Sequence, residues 1–229
     1  MRRVLPINAL KKALILIVGA ALIFIGSIKL FLFIYDKYSE REQLFSTYAL
    51  SPAEKNMLHD GDIILRHGYG YASDFIVETF NSDINISHCA IIRKVNNKLS
   101  IIHSVSQSLS PFDGVQTVDF DKFINDSKMN SVIVVRYKFK PGEDTTLIGK
   151  RAQYYLDKKV PFDNDFNLKD SSQIYCAELL YLVFKDSYHF DVFTSPDGKT
   201  NYNHLGFQAF LDTTRFKVII NHHLRDKKK

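Results

Sequence analysis

The stretch that decides the fold is NISHCAIIRKVNNKLSIIHSVS, residues 85–106, in which two apolar runs flank a pair of asparagines. Asparagine tolerates a positive φ, so the Asn-Asn pair at 96–97 predicts a tight hairpin turn between two antiparallel strands. A two-residue turn at this position puts His103 opposite Ala90. Because side chains alternate between the faces of a strand, His88, Ala90 and His103 are predicted to share one face, with the two histidines as diagonal neighbours.

Two interpretations of this histidine pair are open. A histidine in a strand is often a polar residue whose hydrogen bonds are satisfied within the core. A pair on one face is also what a general base and its orienting partner require. Ser87 and Cys89 point to the opposite face, where Cys89 is predicted to be a small core residue.

A third element is the stretch QIYCAELLYLVFKDSY, residues 173–188, which has apolar residues at helical spacing from Cys176. Asp170 or Ser172 is predicted to cap this helix, which places Cys176 in its first or second turn. Amide groups and the dipole at a helix start favour a thiolate. If this helix packs on the sheet face that carries the histidines, the residues form a nucleophile, a base and an orienting group. An inert buried cysteine and a Cys–His–His zinc site are the alternatives.

The remaining pattern predicts an α+β protein with a central antiparallel sheet packed by helices. Further strands are expected at residues 63–67, 131–139 and 215–221, and further helices at 71–81, 120–127 and 144–159. The helix predicted at residues 71–81 is rich in aromatic residues, for which two interpretations are open. They line an apolar groove, or they belong to the core. The residues are Tyr71, Phe75 and Phe80, with Tyr69 just before the helix.

The first 35 residues differ in composition from the rest. Ala13 to Tyr35 is a run of 23 residues with a single charge, Lys29, which is long enough to cross a bilayer. The run predicts an uncleaved anchor, because it is long for a signal peptide and no small-residue cleavage pattern follows it. Arg2, Arg3, Lys11 and Lys12 precede it, so the positive-inside rule predicts a cytoplasmic N-terminus and a domain outside the cytoplasm.

Four segments are therefore expected. Residues 1–35 form a cytoplasmic flank and transmembrane anchor, residues 36–59 a partly helical stalk, residues 60–224 the folded domain, and residues 225–229 a basic tail. The five basic residues of the first segment account for the net charge of +5 and leave 25 basic against 25 acidic residues. This balance argues against nucleic acid as a partner. Two cysteines form no disulfide framework. Residues 194–206 are expected to be an ordinary surface loop, with a lid over the site as the alternative.

The order of these motifs resembles that of the circularly permuted papain-like cysteine hydrolases. GDIILRH, SHCAIIRK and LSIIHSVS, followed by PFDNDFNL and IYCAELLY, are similar to the NlpC-type superfamily and above all to its YiiX/YebB-like group, which is related to lecithin:retinol acyltransferase. The resemblance covers about Asp60 to Phe184. It implies a permuted papain-like fold, in which the histidine strand precedes the cysteine helix.

The resemblance also implies roles for individual residues. Cys176 matches the nucleophile, His88 the general base and His103 the third, orienting position, where many permuted members have glutamate. Tyr175 precedes the nucleophile as in the family and is expected at the substrate-binding or oxyanion region. The implied reaction is acyl transfer to Cys176 without a metal or cofactor.

The substrate follows less directly from the residues. A bacterial domain tethered to the outer side of the cytoplasmic membrane meets peptidoglycan first, so the favoured substrate is an amide bond in a stem peptide. A lipid-like acyl donor is the main alternative. A non-catalytic, membrane-anchored binding module is the second alternative.

Overall fold

The computed structural model describes residues 7–80, 83–198 and 205–224; for residues 7–10 and 224 it describes the backbone alone. Three predictions therefore fall wholly or partly outside the described residues. These are the basic residues Arg2 and Arg3, the centre of the loop 194–206, and the basic tail 225–229.

The domain is built on one antiparallel sheet. Its strands are β1 (Ile63–Arg66), β2 (His88–Val95), β3 (Lys98–Val105), β4 (Gly114–Asp119), β5 (Ile133–Tyr137) and β6 (Phe216–Asn221). They lie in the order β4-β3-β2-β1-β5-β6, and each neighbouring pair is antiparallel. The predicted class, an α+β fold with a central antiparallel sheet packed by helices, is confirmed.

Helices precede the sheet and cover it. They are α1 (Ile7–Leu44), α2 (Pro52–Met57), α3 (Tyr71–Phe80), α4 (Phe120–Asn125), α5 (Leu147–Lys158) and α6 (Cys176–Tyr188), with short 3-10 helices at Phe207–Leu211 and His222–Leu224. Among the described residues, α1 alone is long and apolar enough to cross a membrane, and its most apolar window is not buried by the domain. The predicted N-terminal apolar helix is therefore present.

The hairpin of β2 and β3 forms as predicted. Asn96 and Asn97 have φ values of 50° and 61°, the left-handed conformation that a two-residue turn between twisted strands requires. The register pairs Ile91 with Ile102, which is the register that the turn predicts. The two histidines consequently fall on one face of the sheet.

Two apolar cores lie on the two faces of the sheet. Alternate residues of the central strands, among them Leu65, Cys89, Ile91 and Ile102, join α5 and α6 in the larger core. The residues between them, among them Ile64, Ala90 and Ile101, join Phe120, Phe123 and Ile124 of α4 in the smaller core. A shift of one residue in the register would move each set of side chains to the opposite face of the sheet, where it would meet the wrong helices. Because both faces are buried, the register is strongly specified.

Strand β4 was not predicted. It begins at Gly114, whose φ is 77°, and it contains the polar residues Gln116 and Thr117. Polar residues are typical of an edge strand, because one of its sides faces solvent. Because of these polar residues, β4 lacks the clear alternation of apolar and polar residues by which a strand is predicted from sequence.

Helix α1 does not end with the apolar run but continues past Tyr35 to Leu44. Leu32, Tyr35, Ser39 and Gln43 are buried or half-buried, whereas the residues around them are exposed. This spacing places the four on one face of the helix, and that face packs on the domain. The domain is thus attached to the apolar helix along a contact surface, and the boundaries proposed for anchor and stalk stay predictions.

Candidate active site

The two predicted histidines contact each other. Nε2 of His88 lies 2.9 Å from Nδ1 of His103, and the two rings are nearly perpendicular. Both rings also contact the ring of Phe123 from α4, with centroids 6.0 and 5.7 Å away. The packing of Phe123 and the hydrogen bond together fix the orientation of the His88 imidazole.

Helix α6 packs on the face of the sheet opposite to the one that carries the two histidines. The sequence left open whether the Cys176 face of α6 covers the face that carries His88 and His103. In the structure, α6 covers the face of Cys89 and Ile91, and the histidines lie on the face covered by Phe123 of α4. The condition is therefore not met, since the alternation of side chains says which residues share a face but not which helix covers it.

Cys176 nevertheless reaches His88, because the hairpin opens at one end. The paired residues of β2 and β3 extend from Val95–Lys98 to Ile91–Ile102. Beyond this point β2 pairs with β1 and β3 pairs with β4. The start of α6 lies at this opening, where the hydroxyl of Ser104 donates to the carbonyl of Ile174.

The sulfur of Cys176 is surrounded by groups that stabilise a thiolate. The Cys89 thiol donates a hydrogen bond to it, and this bond lowers the pKa of Cys176; His88, through its charge and a hydrogen bond, and the backbone N–H of Cys89 lower it further, while burial acts in the opposite direction. Cys176 is also the first residue of α6, where the helix dipole favours negative charge. The net effect is a pKa well below that of an ordinary thiol.

Cys89 has the opposite tendency. Complete burial raises the pKa of Cys89, and the neighbouring Cys176 raises it further. At neutral pH Cys89 therefore keeps its proton and can donate it to the Cys176 sulfur. The predicted role of Cys89 as a small core residue is correct for its burial, but sequence reasoning missed its contact with the nucleophile, because that contact arises only where the hairpin opens.

The protonation of His103 gives the histidine pair a direction. Burial, with the charges of His88 and Arg66, lowers the pKa of His103 well below its usual value. When His88 holds the proton from the thiol, a neutral His103 can only accept the hydrogen bond, through Nδ1, from Nε2–H of His88. This leaves Nδ1 of His88 as the nitrogen that can take the thiol proton.

Arg66 is a residue that sequence reasoning did not connect with the site. It pairs with His88 in the register of β1 and β2, and its guanidinium lies 4.0 Å from the centroid of the Phe123 ring. It donates hydrogen bonds to the carbonyls of Phe123 and Asp126. Its positive charge helps to keep His103 neutral by lowering the pKa of that ring. The available signal was an arginine inside the strand IILRH, next to a histidine.

The helix start differs from the predicted one. Asp170 or Ser172 was expected to cap the helix, but the two form their own turn upstream, in which Ser172 N–H donates to Asp170 Oδ1 at 3.0 Å. Tyr175 is the N-cap residue instead, and its N–H donates to Oε2 of Glu178 at 3.4 Å. Cys176 is in the first turn, as predicted.

Tyr175 and Glu178 are both fully buried behind the nucleophile. The ring of Tyr175 packs on Phe166, with centroids 5.2 Å apart. Burial raises the pKa of Glu178 to about 8, so this carboxyl group is neutral at pH 7. The role predicted for Tyr175 in substrate or oxyanion binding stays a prediction.

The geometry defines an α+β protein with a thiol, an imidazole and a second imidazole in contact at one end of its sheet. Neither a scan against protein-family models nor a search of curated proteins gives a match. Among solved structures, the fold is similar to that of the metalloprotein YiiX from Escherichia coli O157:H7, with a TM-score of 0.55 and 16% identity over 72% of this chain and 98% of that chain. The fold is therefore YiiX-like.

The description of YiiX as a metalloprotein raises the question of a metal site. Within residues 7–80, 83–198 and 205–224, no three His, Cys, Asp or Glu side chains are arranged to hold an ion. The facing nitrogens of His88 and His103 are hydrogen-bonded to each other. The donor set of the described residues does not fit a metal centre, and no step below uses one.

Proposed function

We propose that the protein is a membrane-anchored cysteine hydrolase in which Cys176 is the nucleophile, His88 the general base and His103 the orienting residue. One arrangement carries the proposal: the sulfur of Cys176, at the first residue of α6, lies beside an imidazole that is itself held by a second imidazole at 2.9 Å. The resemblance to the permuted papain-like, NlpC-type hydrolases and the YiiX-like fold support the same class.

The reaction is an acyl transfer in two steps. The Cys176 thiolate attacks a carbonyl carbon, and the His88 imidazolium gives its proton to the leaving nitrogen or oxygen as the bond to carbon breaks. His88, now neutral, takes a proton from water, whose oxygen attacks the thioester. The acid product leaves, and the proton on His88 restores the ion pair with the Cys176 thiolate.

The helix start supplies the electrostatic part of the mechanism. The backbone N–H of Cys176 belongs to the first turn of α6 and is proposed to stabilise the oxyanion of the tetrahedral intermediate. Tyr175 lies immediately before it and is proposed to shape this region through its backbone, since its ring is fully buried.

The apolar helix α1 is proposed to be a single-pass anchor in the cytoplasmic membrane of a bacterium. Its apolar surface is exposed along its length, which is the arrangement expected for contact with lipid. Basic residues precede the apolar run, so the N-terminus is assigned to the cytoplasm and the domain to the periplasmic or extracellular side.

The first candidate substrate is an amide bond in a peptidoglycan stem peptide, because that polymer surrounds a domain on the outer side of the membrane. The second candidate is a lipid-like acyl group. A specific observation favours it, since the aromatic residues of α3 are exposed beside α1 rather than buried in the core. A binding module without catalysis is the third candidate, and the intact contact of Cys176 with His88 argues against it.

These candidates are separated by incubating the full chain in vesicles with muropeptides and, in a second series, with phospholipids or acyl-ester micelles. The expected result is product release by one substrate class and a thioester on Cys176, detected by mass spectrometry, with both absent in Cys176→Ala. Turnover of muropeptides alone supports the amide substrate, and turnover of lipid alone supports the acyl substrate. No adduct from either class, together with an unreactive thiol, contradicts the hydrolase proposal.

A further inference from the structure

A run of aromatic rings connects the apolar helix to the domain. The ring of Phe31 contacts that of Tyr35 at 6.1 Å, and Tyr35 meets the ring of Tyr71 edge-on at 5.9 Å. Tyr71 in turn stacks on Phe75, with centroids 6.1 Å apart. The first two rings belong to α1 and the last two to α3, so the aromatic surface of the apolar helix continues onto the domain.

Polar contacts fix how α3 lies against α1. Gly70 N–H donates to Ser39 Oγ at 2.7 Å, and Tyr71 N–H donates to Asp36 Oδ1 at 2.9 Å. Further along α3, Oδ2 of Asp74 accepts from the hydroxyl of Tyr35 at 2.7 Å. The partners move back along α1 as the chain advances along α3. These contacts fix the first turn of α3 beside residues 35–39, at the end of the apolar run.

The side of α3 that faces away from the domain is rich in exposed aromatic surface. Tyr71 and Phe75, four residues apart on this side, are 38% and 49% exposed. Phe80, 40% exposed at the end of the helix, lies on the opposite side of α3 from Tyr71. Two large rings on one side of a helix of ten residues are costly to leave in water, because each ring loses favourable burial. Aromatic side chains at this density are typical of the interface between a membrane and water.

The depth of α3 follows from its neighbours. Tyr35 is the last residue of the apolar run, and the charged residues Asp36 and Lys37 follow it, so the first turn of α3 lies at the level of the lipid headgroups. Glu78 is also exposed on α3, and a carboxylate in the hydrocarbon is costly. The helix therefore belongs at the interface and not in the bilayer core.

We propose that α3 is a membrane-contacting helix, whose exposed rings Tyr71 and Phe75 rest in the headgroup layer of the bilayer that α1 crosses. The occupant of this surface is a lipid bilayer, and the inference rests on the proposed anchoring of α1. One side of α3 packs on the domain, and lipid covers the opposite, exposed side.

This contact places the candidate active site close to the bilayer. Helix α3 follows the Arg66 end of β1, and His88 pairs with Arg66 at that same end of the sheet. The hydrogen bond between His67 and Asn85, at 2.8 Å, links the chain before α3 to the chain before β2. The nucleophile and its base are thus held at a constant height above the membrane surface.

The chain contains no tryptophan, so single tryptophans can report on the environment of chosen positions. The test uses the full chain in phosphatidylcholine–phosphatidylglycerol vesicles, with Phe75→Trp as the probe and Tyr71→Trp as a second probe should the first variant fail to fold. Phe31→Trp marks the apolar helix. Val95→Trp, at a 54% exposed position beside the hairpin turn at the other end of the sheet, marks a surface away from the bilayer.

Quenching by brominated lipid and by aqueous iodide is measured for each probe. We expect lipid quenching of the Phe31 and Phe75 probes, with the Phe75 probe at least threefold less accessible to iodide than the Val95 probe. A Phe75 probe quenched by iodide as strongly as the Val95 probe, while the Phe31 probe is quenched by lipid, overturns the membrane contact and leaves the anchor. A Phe31 probe without lipid quenching overturns the anchor and the contact together. Neither result depends on hydrolysis, so the catalytic proposal is tested separately.

Discussion

Two histidines at neighbouring strand ends differ in their partners. His67 directly follows β1, and its ring lies 2.6 Å from Oδ1 of Asp74 and 2.8 Å from Oδ1 of Asn85. His88 begins β2 and has a neutral histidine, His103, as its partner. A catalytic histidine is often oriented by a carboxylate. Judged by its partner alone, His67 therefore resembles a catalytic histidine more than His88 does.

The surroundings of the two rings reverse that judgement. Asp74 also accepts hydrogen bonds from Lys128 and from Tyr35 of α1, so the group around His67 joins the apolar helix to the domain. No cysteine is among the described partners of His67, whereas His88 lies beside the sulfur of Cys176. Contact with a nucleophile, rather than with a carboxylate, identifies a catalytic histidine. A carboxylate partner can equally well belong to a contact that holds two helices together.

The largest expected effect separates the two groups by activity. Replacing Cys176 with alanine removes the nucleophile, so hydrolysis of the preferred substrate should fall by about a thousandfold or more. His67→Ala is the comparison variant, because it changes the contact of His67 with Asp74 and Asn85 instead of the site of Cys176. Its turnover per folded molecule should stay within about threefold of the parent protein. A loss of activity in His67→Ala as large as that in Cys176→Ala breaks the comparison.

The second effect concerns stability. Asp74→Asn leaves Lys128 with a neutral partner and weakens the bond to Tyr35, so the free energy of unfolding should fall by about 3 kcal/mol. Burial raises the pKa of Asp74, but hydrogen bonds from Lys128 and Tyr35 outweigh it and lower the pKa overall. The stability that Asp74 contributes is therefore present above 3.8, the ordinary pKa of an aspartate, and is lost as the pH falls through the lower pKa of the folded state.

Asp121→Asn is the control for this change, because Asp121 makes an exposed ion pair with Lys55 at 2.6 Å. Its removal should cost less than about 1 kcal/mol. Denaturant unfolding measures both variants, and the alkylation rate of Cys176 should be unchanged in each. Equal stability losses in the two variants remove the special role given to Asp74.

A smaller effect is expected at Cys89, which donates to the Cys176 sulfur. Cys89→Ala removes that donor but leaves the backbone N–H, so the pKa of Cys176 should rise and alkylation at pH 6 should slow. Cys89→Ser keeps a donor and should slow the reaction less. Identical pH profiles for the parent and Cys89→Ala contradict the contact between the thiols.

The last expected effect concerns the pH dependence of stability and lies behind the site, at Glu178. Its pKa of about 8 in the folded state is above 4.5, the ordinary pKa of a glutamate, so the folded protein holds a proton that the unfolded chain releases. Stability should therefore fall as the pH rises from about 4.5 to 8, by at most about 1.4 kcal/mol per pH unit from this group. Glu178→Gln should remove that slope in unfolding experiments between pH 5 and 8, and an unaltered slope assigns it to another group.

Local chemistry made much of the site predictable. The Asn-Asn turn determines the register of β2 and β3, and the register places His88 beside His103. The helical spacing after Cys176 predicts that Cys176 lies in the first or second turn of a buried helix. These features depend on residues close together in the chain, and turn chemistry and periodicity describe such residues well.

Features formed between distant segments were not predictable in this way. Neither the choice of sheet face by α6 nor the opening of the hairpin at Ile91 leaves a periodic signal. The rings of Tyr71 and Phe75 have helical spacing whether they lie in a core or beside another helix, so the pattern did not exclude their burial. Only the contacts of α3 with α1, which is far away in sequence, show that these rings lie beside another helix and not in the core.

The most direct test of the central claim is the rate of alkylation of Cys176 as a function of pH, in the full chain and in His88→Ala. Peptide mapping by mass spectrometry assigns the modified sulfur, because Cys89 is also a free thiol. We predict that the parent protein reacts well below the ordinary thiol pKa of about 8.5, and that His88→Ala moves the profile towards that value. A thiol that reacts with the same profile in both proteins, or that stays inert up to pH 9, contradicts the assignment of His88 and Cys176 as a catalytic pair.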